Sequence, residues 1–339
     1  MDWFEKLTGF REAGYEETRN RLEVDGGRLR SRVNQASYSI GELELISLEV
    51  LRQRAKSAST LSGRLSVSVV KGDVRRMHRN IKNAGALFQV ASQFNLLEMV
   101  SQNVTPEHGV TRYQGDLTQG PACAIAAGAA TIYRNYFVPV GDSQGQTATR
   151  QLDGIADLGE ALSTALNLPR SNLWTMQNGY ALGSQTGLDA IARYLATLGT
   201  DEIDFLRGKL RVGIHWDVEA TEATGPDRPL VSQAFCSALP VTYSPVPQAH
   251  WEAFALLVLE AAYEATMWAS VLNARRGKSN VVFLTLLGGG AFGNCYSWIY
   301  NAMRRSLKLM SAFDLDVILV SHGTPSKEIM AIAKEFGES

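Results

Sequence analysis

The sequence predicts an α/β protein in which one sheet is sandwiched between layers of helices. From Leu65 onward, short apolar stretches alternate with long amphipathic ones, the pattern of strands covered by helices. Before that point the pattern changes and indicates a small α+β extension over residues 1–60. Clusters of glycine, proline and polar residues between about 141 and 229 are typical of surface excursions. The predicted domains are therefore residues 1–60 and residues 61–339, the second carrying a long insertion at about 141–229.

The extension is predicted to contain a short amphipathic helix, a hairpin and a second helix. Residues 22–33 form two alternating runs around a Gly-Gly turn signal, which favours a hairpin. Ser37 to Leu43 is a candidate third strand, and Ser47 to Lys56 a candidate helix. We interpret the extension as a cap over one edge of the main sheet, because exposed sheet edges must be covered.

The main domain is predicted to alternate six strands with five helices. The candidate strands are Leu65 to Val70, Gly85 to Ala91, Arg211 to Val218, Leu230 to Ser237, Val281 to Leu287 and Asp316 to Ser321. The candidate helices are Ala122 to Tyr133, Glu160 to Asn167, Gly187 to Leu198, His250 to Asn273 and Tyr296 to Phe313.

Composition excludes several classes of protein. The hydrophobic fraction is 45% and the charged fraction 20% of 339 residues, which is typical of a globular chain with a substantial core. Because 33 basic residues nearly balance 34 acidic ones, the summed field does not attract nucleic acid or anionic lipid over long range. Direct nucleic-acid binding is therefore not predicted, and an anionic ligand must be held by local donors.

The expected location is cytoplasmic. Cys123, Cys236 and Cys295 lie far apart without metal-binding or redox spacing, which favours a reduced intracellular protein. The first residues lack the basic and apolar regions of a signal peptide. The apolar stretch from Ala253 to Ala269 contains two glutamates and falls short of about 20 uninterrupted residues, so no membrane partner is expected.

The strongest local signal is the glycine loop, Gly288-Gly289-Gly290-Ala291-Phe292-Gly293-Asn294. It follows an apolar strand pattern and precedes a helical one. Such a loop presents unobstructed backbone N–H groups and a positive helix end, which suit phosphate oxygens. Glycine runs also form simple tight turns, so the loop alone leaves both interpretations open.

A second signal is the stretch from Phe88 to Glu98, an apolar strand that runs into small and amide residues. Ligands bind at the carboxyl ends of strands in open α/β sheets. Asn95 can both donate to and accept from a ribose diol, and Glu98 would share its face if a helix begins there. In the alternative interpretation, Asn95 caps a helix and Glu98 is a carboxylate of its first turn.

Two weaker signals add polar candidates. Val69 to Val74 is a strand that ends in Gly-Asp, and Asp73 could accept from an exocyclic amine such as that of adenine, although Gly-Asp is also an ordinary turn. Asp116, Thr118 and Gln119 precede a helix rich in small residues and are candidate pocket residues. Helix capping by Thr118 or Asp116 is the alternative.

No metal or cofactor is predicted. His215, Asp217 and Glu219 would share one face of a strand, but no second His or Cys cluster accompanies them, so a solvated face is the preferred interpretation. Cys123 lacks an identifiable His partner, which leaves a nucleophile role unsupported.

Three of these elements together resemble macrodomains. Macrodomains open with a strand ending in Gly-Asp-Ile/Val, continue with a strand ending in an Asn, and close with a glycine loop. Lys71-Gly72-Asp73-Val74, Val90-Ala91-Ser92-Gln93-Phe94-Asn95 and the glycine loop follow in that order. The second and third elements are similar to the Phe-Ala-Ser-Ala-x-Asn and Gly-Cys-Gly-Ala-Phe-Gly-Asn of microbial poly(ADP-ribose) glycohydrolases. The resemblance covers about residues 65–135 and 230–323.

The resemblance implies a three-layer, mixed-sheet macrodomain-like fold that binds ADP-ribose. It places Asp73 at the adenine, Asn95 near the distal ribose and the glycine loop around the diphosphate. The sequence departs from the glycohydrolases at their Gln-Glu-Glu element, because Gln119 is followed by Gly120-Pro121. The Pro-Gly-Gly-Gly loop that follows their Asn is also replaced, here by Leu96-Leu97-Glu98-Met99.

The expected function is binding of ADP-ribose or an ADP-ribosylated ligand, with hydrolysis at the anomeric carbon of the distal ribose. The alternative is a module that binds ADP-ribose or a related NAD-derived metabolite without cleaving it. Glu98 and Asp116 are the candidate catalytic carboxylates. The candidate ligand-binding residues are Asp73, Val74, Asn95, Gln119, Gly288, Gly289, Gly290, Ala291, Phe292, Gly293 and Asn294.

Overall fold

The structure is a computed structural model that describes residues 1–57, 62–225 and 227–337. The domain boundary predicted at residues 60 and 61 lies outside the described residues. The strands are β1 (Leu22–Asp25), β2 (Arg28–Ser31), β3 (Ser37–Ser39), β4 (Glu42–Ser47), β5 (Ser66–Lys71), β6 (Leu87–Ala91), β7 (Pro139–Val140), β8 (Ser143–Gln144), β9 (Trp174–Gln177), β10 (Tyr180–Gly183), β11 (Arg211–Glu219), β12 (Leu230–Cys236), β13 (Val281–Leu284) and β14 (Asp316–Ser321).

The α-helices begin and end as follows: α1 (Trp3–Thr8), α2 (Tyr15–Asn20), α3 (Leu48–Ser57), α4 (Val74–Arg79), α5 (Gln119–Ala126), α6 (Gly128–Tyr136), α7 (Ala156–Leu166), α8 (Arg170–Leu173), α9 (Gln185–Leu195), α10 (Thr200–Lys209), α11 (Glu252–Arg275), α12 (Tyr296–Leu309) and α13 (Lys327–Gly337).

A mixed seven-stranded sheet forms the centre of the described structure, in the order β4-β11-β12-β6-β13-β14-β5. The five strands from β12 to β5 are parallel, whereas β11 runs antiparallel to both of its neighbours. The predicted α/β class with a mixed sheet between helices is confirmed.

Alternation along the strands explains the two apolar faces of the sheet, because successive side chains of a strand point to opposite sides. On β6, Leu87 belongs to the core beneath α11 and α12, and Phe88 to the core beneath α4, α5 and α6. On β13, Val282 and Phe283 divide in the same way. The rings of Phe88 and Phe283 stack at 4.3 Å. Each face is therefore covered by its own helical layer.

Helix α11 is the main helix on one face of the sheet. Among the described helices it alone has the length and apolar composition of a membrane span, and 78% of its most apolar window is buried inside the protein. Its Glu264 accepts hydrogen bonds from Arg52 of α3 and Arg305 of α12, each at 2.6 Å. This buried carboxylate ties three helices together.

The N-terminal region contributes to the main sheet as well as covering it. The predicted hairpin and the predicted helix of residues 47–56 are present as β1, β2 and α3. The predicted third strand is divided between β3, which pairs with β2, and β4, which pairs with β11 at the edge of the main sheet. Strand β11 itself comes from the predicted insertion. The domain boundaries proposed from the sequence stay a prediction.

The remaining differences from the sequence prediction concern the bounds and the number of helices and strands. The single helix predicted from Ala122 to Tyr133 is divided into α5 and α6, because Ala127 (φ −113°, ψ 56°) leaves the helical conformation. The strand predicted from Val281 to Leu287 ends at Leu284. Hairpin β9–β10 and helices α10 and α13 are additional elements.

Candidate functional site

The candidate site lies at the carboxyl edge of the sheet. Because β12, β6, β13, β14 and β5 are parallel, the segments that follow them emerge at the same edge. Two adjoining lobes open there, and Thr285 and Leu286, directly after β13, line both. We call them the main lobe and the second lobe.

The main lobe collects most of the predicted site residues. Its walls are the segment after β6, the start of α5, the segments after β12 and β13, and one residue of hairpin β9–β10. The lining residues are Ala91, Ser92, Gln93, Glu98, Met99, Val100, Asp116, Thr118, Gln119, Gly120, Pro121, Tyr180, Ala238, Tyr243, Thr285, Leu286, Leu287, Gly288, Gly290, Ala291 and Phe292. The two candidate carboxylates therefore share a cavity with the glycine loop.

The glycine loop is held in a shape that requires glycine at two positions. Gly288 and Gly293 have φ of +75° and +68°, and a Cβ on either would lie 2.4 Å or less from a neighbouring side-chain carbon. Asn294 closes the loop: its N–H donates to the Gly288 carbonyl at 2.9 Å, and its Nδ2 donates to the Leu239 carbonyl at 2.8 Å. The loop is thus fixed before any ligand arrives.

The same loop offers unused hydrogen-bond donors to the main lobe. Within the described residues, the consecutive N–H groups of Gly290, Ala291 and Phe292 have no acceptor. Helix α12 begins at Tyr296, four residues after Phe292, and no side chain caps its N-terminus. Consecutive free N–H groups next to a helix N-terminus form an anion-binding surface.

The second lobe extends from the segment directly after β13 and the start of α12 to the end of β14. Tyr296 and Tyr300 of α12 stack at 5.9 Å with an interplanar angle of 21°, and both line this lobe. Ser321, the last residue of β14, and His322 and Gly323, which follow it, also line this lobe. An aromatic wall of this kind suits a flat, uncharged ring.

Glu98 is a buried carboxylate in the wall of the main lobe. Only 2% of the residue is exposed, and its Oε1 lies 3.1 Å from Nη2 of Arg134, which is fully buried. The Tyr113 hydroxyl accepts from the Glu98 N–H at 3.1 Å. Burial raises the pKa of Glu98 to about 7, against the lowering effects of Arg134 and Tyr113. Glu98 can therefore exchange a proton near neutral pH.

Gly120 allows α5 to approach both β6 and Glu98 closely. A Cβ on Gly120 would lie 2.0 Å from the Ala91 carbonyl oxygen and 3.2 Å from Cγ of Glu98. No larger side chain fits at position 120 without moving the helix. The acidic side chain next to Gly120 is that of Glu98, which lies on the segment after β6.

Gln119 and Asp116 also line the main lobe, with different freedom. The side chain of Gln119 accepts from the Ala91 N–H at 2.9 Å and donates to the Gln89 carbonyl at 2.8 Å. These backbone groups of β6 lie past the last residue of β6 that pairs with β13, and Gln119 supplies their hydrogen bonds. Asp116 accepts from the Thr118 N–H at 2.8 Å and is partly exposed. Gln119 thus anchors the start of α5, while Asp116 keeps a free carboxylate oxygen.

The other predicted ligand residues lie outside the cavity lining. Asp73 caps α4 by accepting from the Arg75 N–H at 2.9 Å, and Val74 packs in the core. Asn95 is fully buried; it accepts from the Leu97 N–H at 3.1 Å and donates to Gln151 at 2.9 Å.

Within the glycine loop, Gly289, Gly293 and Asn294 are also absent from the lining. Gly289 lies over Ile299 and Tyr296, while Gly293 and Asn294 shape the loop from behind. Direct ligand contact by these residues and by Asp73, Val74 and Asn95 stays a prediction.

Two of the three aromatic residues that line the main lobe, Tyr180 and Tyr243, were not predicted. Tyr180, Tyr243 and Phe292 pack around one another with ring-centroid distances of 5.0 to 5.5 Å, and only Phe292 was a candidate. A signal for Tyr180 was present, because Asn178-Gly179 (φ 47° and 81°) is the turn of hairpin β9–β10. Arg134 carried no such signal, since its burial depends on tertiary packing.

No metal centre is indicated: the described residues contain no group of three His, Cys, Asp or Glu side chains able to hold an ion. His215 is fully buried, whereas Asp217 pairs with Arg276 at 2.6 Å and Glu219 with Arg228 at 3.0 Å. The face proposed to be solvated is therefore occupied by a buried histidine and ion pairs.

Fold and site together define an α/β protein with a cleft at the carboxyl edge of its sheet, bordered by a glycine loop with free N–H groups. No protein-family model and no curated protein matches the chain significantly. Among solved structures, the chain is similar to a poly(ADP-ribose) glycohydrolase mutant from Deinococcus radiodurans in complex with ADP-ribose, at 12% identity and a TM-score of 0.46, over 87% of this chain and 94% of that one.

A second similar structure is poly(ADP-ribose) glycohydrolase from Thermomonospora curvata bound to the inhibitor ADP-HPD. It shares 14% identity and a TM-score of 0.43 over 91% of this chain and 94% of that one. These structures are of the group that the sequence motifs resemble. At such values the likeness carries no inference about activity, which has to come from the cleft.

Proposed function

We propose that the protein binds ADP-ribose, or a ligand carrying ADP-ribose, and hydrolyses the bond at the anomeric carbon of the distal ribose. One observation carries the proposal: the glycine loop, whose Gly290, Ala291 and Phe292 N–H groups are free, and Glu98 line the same cavity. The first feature suits a diphosphate, and the second can exchange a proton near neutral pH.

The two lobes suit the two ends of such a ligand. The diphosphate would accept from Gly290, Ala291 and Phe292 near the start of α12. The base would enter the second lobe against Tyr296 and Tyr300. The distal ribose then lies in the main lobe, within the cavity that Glu98 lines.

The reaction is a displacement by water. A water oxygen bonds to the anomeric carbon, and the bond from that carbon to the leaving group breaks with its electron pair. Glu98 in its ionised form takes the proton of the attacking water, and this proton can pass to the leaving group. ADP-ribose with a free anomeric hydroxyl and the protonated leaving group are the products.

The chain has Gly120-Pro121 after Gln119 where the glycohydrolase motif has two glutamates, and a glutamate from another segment lies beside this position. Gly120 occupies the position that resembles the first glutamate of Gln-Glu-Glu, and the Glu98 side chain lies directly beside it. A carboxylate is thus supplied from the segment after β6 instead of from α5. This replacement supports hydrolysis over binding alone.

Calorimetry and a turnover assay test the proposal. We expect purified protein to bind ADP-ribose with 1:1 stoichiometry, and ADP to compete. Cleavage is measured with an aryl glycoside of ADP-ribose, because its phenolate leaves without being protonated. Absence of ADP-ribose binding would overturn the proposal; binding with no phenolate release would leave only its binding part.

A non-catalytic binding module is the second candidate, favoured by the engagement of Glu98 with a buried cation and by the Gly120-Pro121 pair. It predicts the same affinity for ADP-ribose and for its aryl glycoside, without release of phenolate. Unchanged ligand recovered after long incubation would support it.

A further inference from the structure

Arg134 is a fully buried cation directly behind the cleft. It lies on α6, where its Nε donates to the Leu96 carbonyl at 3.1 Å and its Nη2 donates to Thr131 at 3.2 Å and to Glu98 at 3.1 Å. Its guanidinium carbon lies 3.9 Å from the centre of the Phe235 ring. Four contacts of different kinds therefore fix one guanidinium group.

The contacts of Arg134 are directed at the segment that carries Glu98. Leu96, with φ of +64°, forms the turn before Glu98, and Arg134 bonds to the Leu96 carbonyl and the Glu98 carboxylate at once. Removing either contact would free the side chain that lines the main lobe. A buried ion pair gives little net stability against apolar packing of equal volume, so its place at a cavity wall suggests a use other than stability.

We infer that Arg134 is the positioning residue for Glu98: it favours the ionised form of the carboxylate and orients it toward the main lobe. The inference rests on the proposed function, because Glu98 is the carboxylate that takes the proton of water in the proposed reaction. Arg134 does not line the cavity and so acts only through Glu98.

The other titratable groups around the pair do not supply a competing charge. Tyr113, from the segment before α5, and Cys123 of α5 face Glu98, and burial raises the pKa of both well above their ordinary values. On β11, burial and the charge of Arg134 lower the pKa of His215 well below its ordinary value. These groups stay neutral near pH 7, so Arg134 is the only cation among the described residues to pair with Glu98.

The test compares R134Q and R134K with the unchanged protein. Carbon NMR of glutamate-labelled protein follows the titration of Glu98, whose signal is assigned by its loss in E98Q. In R134Q we expect the midpoint to rise by at least about one pH unit, because an opposite charge has been removed. This readout needs no turnover, so it separates failure of the inference from failure of the proposed function.

Kinetics provide the second readout. With the aryl glycoside at pH 7, we expect kcat of R134Q to fall at least about tenfold and to recover as pH rises, while the calorimetric Kd for ADP-ribose changes less than about twofold. R134K, which keeps the charge, should show a smaller shift and a smaller loss. An unchanged Glu98 midpoint in R134Q, or equal losses of kcat and affinity, would overturn the inference.

R134K decides the matter if R134Q does not fold. A lysine carries its donors on one nitrogen, so it does not reproduce the planar fork in which Nε and Nη2 of Arg134 hold Leu96 and Glu98 together. We then expect a raised Glu98 midpoint and a lower kcat with unchanged Kd. A variant that titrates and turns over like the unchanged protein would overturn the assignment.

Discussion

The glycine loop and the segment after β6 border the same cavity, and they are built in different ways. Each contains a buried asparagine that bonds to backbone groups, Asn294 in the loop and Asn95 in the segment. The loop then presents free N–H groups and no charged side chain, whereas the segment presents a single carboxylate, Glu98, held by a buried cation.

This difference separates two tasks. A rigid surface of N–H groups binds an anion without changing its own charge, which suits recognition of a diphosphate. A carboxylate whose pKa is raised to about 7 by burial changes charge near neutrality, which suits proton transfer. Binding should therefore depend on the loop, and turnover on the segment after β6.

Changing Glu98 to Gln gives the largest expected effect. The amide keeps the shape of the side chain but cannot accept a proton, so kcat for the aryl glycoside should fall by about 10²- to 10⁴-fold. The calorimetric Kd for ADP-ribose should stay within about threefold of the unchanged protein.

D116N is the matched control, because Asp116 is the other predicted carboxylate in the main lobe. We expect it to lose far less activity than E98Q. A large loss in D116N together with none in E98Q would transfer the catalytic assignment to Asp116.

The pH dependence gives the next largest effect. Because Glu98 must be ionised to take a proton, kcat should rise about tenfold per pH unit below about 7 and level off above it. A profile that falls through the same range would show that the protonated form of Glu98 acts, as a general acid.

The free energy of unfolding should also depend on the ionisation of Glu98, but it should fall with rising pH where kcat rises. The pKa of Glu98 is raised in the folded protein, so its protonated form favours folding. This contribution is fully present below about pH 4.5 and is lost as pH rises through about 7. Urea unfolding from pH 5 to 8 should show the decline in the unchanged protein and a shallower one in E98Q.

On the loop side, G288A tests whether the fixed backbone shape supports binding. An added Cβ meets Ala238 at 2.4 Å, and φ is +75°, so the loop must move. We expect the Kd for ADP-ribose to rise about tenfold, with kcat at saturation nearly unchanged. G277A places the same change at φ +76° in open space after α11 and controls for backbone strain alone. Equal Kd values for the two variants would remove the loop from the binding surface.

The strands, their alternating faces and the glycine loop were predictable because each depends on local sequence. Apolar runs define β6 and β13 wherever they lie in the sheet, and at the loop a strand pattern, a glycine run and a helix pattern follow one another directly in sequence. Glu98 lines the cavity from the irregular segment after β6, whereas the helix considered at Asn95 is absent from the described structure.

Strand order and burial were not predictable in this way. Asp73 follows β5, which the topology places at the outer edge of the sheet, two strands from β13, so it caps α4 instead of lining the cavity. Arg134 is buried only because α6 packs against the segment after β6. The carboxylate beside Gly120 belongs to a distant stretch of chain, and that proximity exists only after folding.

The smallest expected effect concerns the second lobe. In the proposal, this lobe binds the base of ADP-ribose while the glycine loop binds the diphosphate. Y296A removes one ring of the stacked pair that lines it, and the Kd for ADP-ribose should rise about fivefold, in the range of stacking contributions. Y296F keeps the ring and should bind normally. Ribose 5-phosphate, which lacks the base, should bind the unchanged protein and Y296A equally. If its affinity falls as much as that of ADP-ribose, Tyr296 acts on the phosphate end, and the division between the loop and the second lobe is wrong.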